Sequence, residues 1–404
     1  MGSSIRKFVL LQLVLLQCLA VFARRRVPRS LVEDKFDDEE GEGEGERDGD
    51  GRRLKSVSDY LLPPTPSDKS LEDRNLLATS SLDVYSLLDG HHLYRDKGQR
   101  HFSSAEVLAY VTPWNKAGYE MSLIATRLGK LDYVVPTWFR VVRQASEIHL
   151  EGAQDVNVDW LQAIRQTAQQ CTGGQDVCPS PAKILPRVKV ETDLNSGADV
   201  AAVGQLCSFL RDKHGFEGFT LEMNLNALER VAQLTYVLAH DHKLVIVLVL
   251  PPVLVADPNM KAALKTLTKH AHRLSVMTYD HPNEGHVGPN APLPWVRQVM
   301  SSLSFDEEMR SKLLLGLPFY GWRGEEALTA QTFTVWLASE AVEAQWDYKA
   351  KEHLFSSPQS KKQPCYYPTP AMLRARAELA EELGIAGVGV WEFGQGLAAF
   401  LDVF

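Results

Sequence analysis

The stretch Gly218–Leu250, GFTLEMNLNALERVAQLTYVLAHDHKLVIVLVL, decides the architecture. It opens on a strand-like run, Gly218–Met223, and closes on Leu244–Leu250, where every residue is apolar. Between them, over Ala227–His240, Leu228, Val231, Leu234 and Leu238 recur at helical spacing. A strand that is apolar at every position must be buried on both faces, as parallel strands are when helices flank them. Parallel neighbours also need a long crossover connection, and the intervening helix provides one.

The same alternation extends in both directions. Strands are expected at Val107–Val111, Tyr133–Phe139, Ile184–Val190, Leu274–Tyr279, Leu313–Phe319 and Val388–Phe393 as well. Helical periodicity covers Asp159–Gln170, Val200–Lys213, Pro258–His272, Pro294–Leu303 and Ala371–Leu383. Eight such strands in about 300 residues predict an α/β fold, a closed (β/α)8 TIM barrel. An open doubly wound sheet is the alternative, but no glycine-rich phosphate turn follows the first strand. Between strands seven and eight, Trp322–Thr369 breaks the rhythm and reads as a small antiparallel insertion.

Ahead of the barrel, residues 1–23 have the make-up of a signal peptide. Arg6 and Lys7 precede the apolar run Phe8–Phe22, and Val21-Phe22-Ala23 ends it as a cleavage site. The run is shorter than the roughly 20 residues a spanning helix needs, so no membrane segment is expected after its removal. Residues 24–98 read as an acidic, low-complexity linker, and residues 99–404 as the barrel. Glu33–Asp50 alone sums to -9, with eleven acidic residues against Lys35 and Arg47, so the rest sums to +1 out of a total of -8. A near-neutral body without a basic stripe argues against nucleic acid. In an exported protein Cys171 and Cys178, which flank a short loop, are expected to pair; Cys207 and Cys365 are too far apart in sequence to assign. No cysteine–histidine spacing suits a metal, and no cofactor is expected.

In such barrels the functional groups lie at the C-terminal ends of the strands. Those ends carry Trp114, Trp138, Glu222, Asn224, Met277, Tyr279, Asp280, Tyr320, Trp391 and Glu392. Aromatic faces with a few polar groups between them suit sugar rings, which have apolar faces and hydroxyl rims. Core packing is the alternative for any one of these rings.

GFEGFTLEMN (Gly215–Asn224) resembles the fourth-strand signature of glycoside hydrolase family 18, D-x-x-D-x-D-x-E. MTYD (Met277–Asp280), LLGLPFYG (Leu314–Gly321) and the tryptophan of VWEFGQG resemble its other signatures. The register places Glu217, Thr220, Glu222 and Asn224 at the four signature positions. The resemblance therefore implies that Asn224 stands where the family has its general acid. A carboxamide has no proton to donate, and the roughly 10²–10⁴-fold that acid catalysis contributes loses its source. The family mechanism also uses the substrate's acetamido oxygen, helped by a neighbouring carboxylate; here Glu222 is that single carboxylate. It lies two residues earlier, about 6.6 Å deeper along the strand.

The resemblance further implies that Tyr279 and Asp280 bond the acetamido group, that Trp391 stacks beneath a sugar, and that Met277 and Tyr110 line the floor. Packing alone is an equal reading for Tyr110 and Met277, and Glu392 reads as a rim hydrogen-bonding group or a solvated charge. The expected function is a chitinase-like protein, secreted or endomembrane with the lysosome among its implied destinations, that binds an oligosaccharide of GlcNAc units or a bacterial polysaccharide without cleaving it. Two other readings are a glycosidase using Glu222 and a scaffold for a scavenger-receptor-type protein.

Overall fold

The computed structural model describes residues 56–404 except 81, 97–99, 101, 103–104, 168–180, 225–227, 256, 284–286 and 359–362. The expected signal peptide, the acidic run and the expected Cys171–Cys178 pair lie outside the described residues. Among the described residues, eight parallel strands form the barrel: β1 (Glu106–Val111), β2 (Tyr133–Pro136, continued as Phe139–Gln144), β3 (Lys183–Ile184 and Arg187–Val190), β4 (Gly218–Met223), β5 (Val245–Leu250), β6 (Arg273–Val276), β7 (Leu313–Pro318) and β8 (Gly387–Trp391). Each pairs in parallel with its sequence neighbour, and β8 pairs with β1, Val390 opposite Ala109. β3 bonds β2 on one side and β4 on the other, which closes the sheet. Gly218 lets β4 and β5 approach, because a Cβ there would lie 1.9 Å from the Val245 carbonyl oxygen.

Closure sorts side chains by parity, since successive residues of a strand face opposite sides. Leu108, Tyr110, Tyr133, Val135, Leu185, Val247, Val249 and Leu314 fill the lumen. Their neighbours Val107, Val134, Val188, Leu221, Leu248 and Val390 face the helices. Those helices begin where capping residues stand. Ser196 and Asp199 form a capping box at Gly197–His214; Asp257 caps Pro258–Thr268, and Thr369 caps Pro370–Glu382. Among the described helices of ten residues or more, two had no counterpart in the periodicity reading: Lys116–Arg127 after β1, and Ala330–Ser339 in the insertion. The insertion is a five-stranded antiparallel sheet, Gly321–Arg323, Glu326–Leu328, Glu343–Asp347, Glu352–Ser356 and Cys365–Tyr366. Cys365 in that sheet and Cys207 in the helix after β3 are both free and buried.

Residues 56–96 correct the linker expectation. They are folded, with a helix at Val84–Gly90 and a short parallel pair between Thr65–Ser67 and Leu93–Arg95. Leu71, Leu76, Leu87 and Leu88 are buried. The stretch seals the side of the barrel where β8 is followed only by 3-10 turns, Phe393–Gln395 and Ala398–Val403, rather than by an eighth full helix. Averaging its composition with the acidic run hid those leucines.

One ion pair fastens this strap. Arg74 pairs with Asp402, both side chains only 3% exposed. Arg74 Nη1 also donates to the carbonyls of Gly90 (3.1 Å) and Leu93 (2.7 Å), and the Arg95 amide donates to Asp402 Oδ1 (2.8 Å). Removing one partner of such a pair leaves the other charge buried. Arg74→Met is therefore expected to cost about 3–5 kcal/mol in denaturant unfolding. A loss below about 1 kcal/mol would mean the strap is not held this way.

Candidate functional site: the mouth of the barrel

Parity decides which predicted residues meet at the C-terminal mouth. Trp138 lies in the break between the two segments of β2 and packs, like Phe139 beside it, in the core outside the lumen, so it is not on the rim. It is 2% exposed, donates from Nε1 to Tyr119 Oη (3.0 Å), and packs edge-on against Trp160 at 5.8 Å. Glu392 is displaced as well: it follows the end of β8 and is 1% exposed. It accepts from Asn115 Nδ2 (2.8 Å) and from the Gly394 amide (3.2 Å), and so joins the ends of β8 and β1. It is neither a rim group nor a solvated charge.

The inward set contains Tyr110, Glu222, Met277 and Trp391. The Tyr110 ring meets Trp391 edge-on at 5.2 Å, and its hydroxyl donates to Ser275 Oγ (3.0 Å). Trp391 and Met277 are half-buried, while Asn224 is exposed at the end of β4. The peptide bond between Trp391 and Glu392 is cis. Trp114, 41% exposed, follows β1. Of the other signature positions, Thr220 is fully buried and donates to the Leu185 carbonyl (3.2 Å). Glu217 accepts from the Ile184 amide (2.9 Å), far from the mouth.

Two cations of β3 were not anticipated. Arg187 and Lys189 have the same parity as Leu185 and so point inward. Arg187 Nη1 donates to Glu222 Oε2 at 2.9 Å, and Lys189 Nζ lies 3.7 Å from Glu222 Oε1. Lys189 also pairs with Glu191 at 3.0 Å, Glu191 with Arg140, and Arg140 with Glu151 at 3.4 Å. Three acids thus alternate with three bases from the hairpin Phe139–Glu151 into the lumen. The Arg187 guanidinium lies over the Trp391 ring, 5.5 Å from its centroid. The alternation in RVKVE (Arg187–Glu191) was the available signal: polar residues at every second position of an otherwise apolar strand must share one face.

A second group surrounds Asp280, whose backbone is left-handed at φ 57°. Asp280 Oδ1 accepts from Tyr320 Oη (2.6 Å) and Trp322 Nε1 (2.8 Å), and the Asp280 amide donates to Asn290 Oδ1 (2.8 Å). Tyr320 is only 1% exposed, so it supports Asp280 from beneath rather than lining the rim. Tyr279 stands edge-on to Tyr320 at 6.3 Å, and burial raises its phenol far above the usual range, which keeps it a hydrogen-bond donor. Asn290 ties the corner to the insertion, because its amide donates to Glu352 Oε2 (3.1 Å), and Glu352 pairs with the buried Arg376 at 3.1 Å. Among the described residues, no group of three or more His, Cys, Asp or Glu is placed to hold a metal ion.

Residues 196–396, from the helix after β3 through the 3-10 turn after β8, match the family described as glycosyl hydrolases family 18. Strands β4 to β8 thus lie within a segment that is similar to family 18 glycosyl hydrolases. The fold of the chain is similar to a class V chitinase of Pseudomonas fluorescens, with a TM-score of 0.60 at 20% identity over 74% of this chain and 98% of that one. It is also similar to a chitinase of Cycas revoluta solved with (GlcNAc)3, with a TM-score of 0.59 at 13% identity and the same shares of the two chains. A third similar structure is a spore cortex-lytic enzyme of Bacillus megaterium, with a TM-score of 0.57 at 16% identity over 74% of each chain.

Glu392 ties the stability of the barrel to pH. Burial pushes its carboxyl from 4.5 up to about 7, against the Asn115 and Gly394 bonds that favour the charged form. The folded state therefore holds this proton more tightly than the unfolded chain does. That contribution is complete below about pH 4.5 and is lost as the pH rises through about 7, on the order of 3 kcal/mol at most. Glu392→Gln should flatten the native protein's loss of stability between pH 5 and 8, as read by thermal unfolding at several pH values. Parallel profiles for the two proteins would refute the assignment.

Proposed function

We propose that this chain is a family 18, chitinase-like saccharide-binding protein that takes oligosaccharides of GlcNAc units at the mouth of its barrel without hydrolysing them. The observation that carries the reading is the state of the acid position. Asn224 ends β4 with a carboxamide, and the inward carboxylate below it, Glu222, is engaged by Arg187 at 2.9 Å and by Lys189 at 3.7 Å. A carboxylate in an ion pair accepts hydrogen bonds and has no proton to transfer, so a glycosidic oxygen meets no general acid here. Trp391, Trp114 and the Tyr279–Asp280 corner supply what binding needs: aromatic faces, a donor and a carboxylate at one opening. The (GlcNAc)3 in the Cycas chitinase supports the choice of ligand class. The charged start and apolar run at residues 1–23 support an exported protein.

Titration calorimetry with chito-oligosaccharides of increasing length should give saturable heat, reduced about tenfold or more in affinity by Trp391→Ala. Incubation of the same sugars with the protein should leave them intact. Absence of heat at every length would sink the binding reading. Cleavage that disappears in Glu222→Gln would instead make the domain a glycosidase with a displaced carboxylate.

A further inference from the structure

We infer that the Arg187 side chain is a built-in occupant of the Trp391 platform, so that a sugar ring stacks there only by exchanging with the guanidinium. The inference rests on the saccharide reading above and adds a latch to the same site. Its geometry is direct. The guanidinium carbon is 5.5 Å from the Trp391 ring centroid, where a stacked ring would sit, and Tyr110 meets that tryptophan edge-on. The side chain is fastened at one end only, by Nη1 to Glu222 Oε2 at 2.9 Å. Among the described residues its buried Nε–H has no hydrogen-bond partner.

A buried donor without an acceptor is costly, and the resting position carries that cost in exchange for the cation–π contact and the bond to Glu222. The backbone of β3 is locked between β2 and β4, so the exchange is a side-chain swing toward the open mouth and not a strand movement. A ring that stacks on Trp391 more strongly than the guanidinium does makes the exchange favourable.

The test measures the affinity of the native protein, Arg187→Ala and Glu222→Gln for the GlcNAc tetramer. Removing the occupant should tighten binding roughly 2- to 30-fold, the range of one cation–π contact. Loosening its anchor in E222Q should give a smaller gain. Unchanged or weaker binding in R187A would overturn the latch. Acrylamide quenching provides a readout that needs no sugar. The Trp391 contribution, taken as the difference from a Trp391→Phe counterpart, should become more accessible in R187A, and an unchanged difference overturns the proposal as well. If quenching rises while neither protein binds the tetramer, the saccharide reading falls and the latch stands.

Discussion

Closure of the parallel sheet is the constraint on which the rest depends. Once β8 pairs with β1, and β3 pairs with both β2 and β4, no strand has a free edge and every second side chain is committed to the lumen. Apolar residues such as Leu108 and Leu314 fill the lumen. At the upper layer the same geometry brings Arg187, Glu222, Met277, Tyr110 and Trp391 together from separate strands. A one-residue slip in any strand would exchange its lumen set for its helix-facing set.

The charged groups at the mouth persist because each has a partner. Taking a single charge out of water would cost several kcal/mol. Here three acids alternate with three bases from Glu151 to Arg187, and the ladder is neutral as a whole. It also alters what Glu222 can do. A carboxylate that would be free to act on a substrate in a neutral pocket is occupied in holding β3 against β4. The chemistry of the mouth follows from the cations on β3 as much as from the carboxamide on β4.

Two structures outside the barrel hold the mouth in shape. The insertion after β7 reaches back through Glu352, Arg376 and Asn290 to the Asp280 corner, and the strap at residues 56–96 stands in for the helix missing after β8. Both rely on ion pairs that are nearly or wholly buried, which add little when intact and cost much when halved. Glu392 works in the same layer, joining the β8 end that carries Trp391 to the β1 end that carries Trp114.

Sequence alone determined the fold class, because apolar runs such as Leu244–Leu250 and the helix-period segments between them reflect local physics that no tertiary contact overrides. It also carries the resemblance that aligns Asn224 with the family's acid position, which is a matter of identity and register. What it left out was of two kinds. Trp138 and Glu392 lie just outside the strands, where alternation does not say which way a side chain points; packing against Tyr119 and Trp160 draws the first inside, and bonds from Asn115 and Gly394 draw in the second. Arg187 and Lys189 lie more than 30 residues before Glu222, and nothing local relates them. Only barrel closure, which sets β3 beside β4 and aims alternate residues at one axis, decided that a guanidinium would stand between the carboxylate and Trp391.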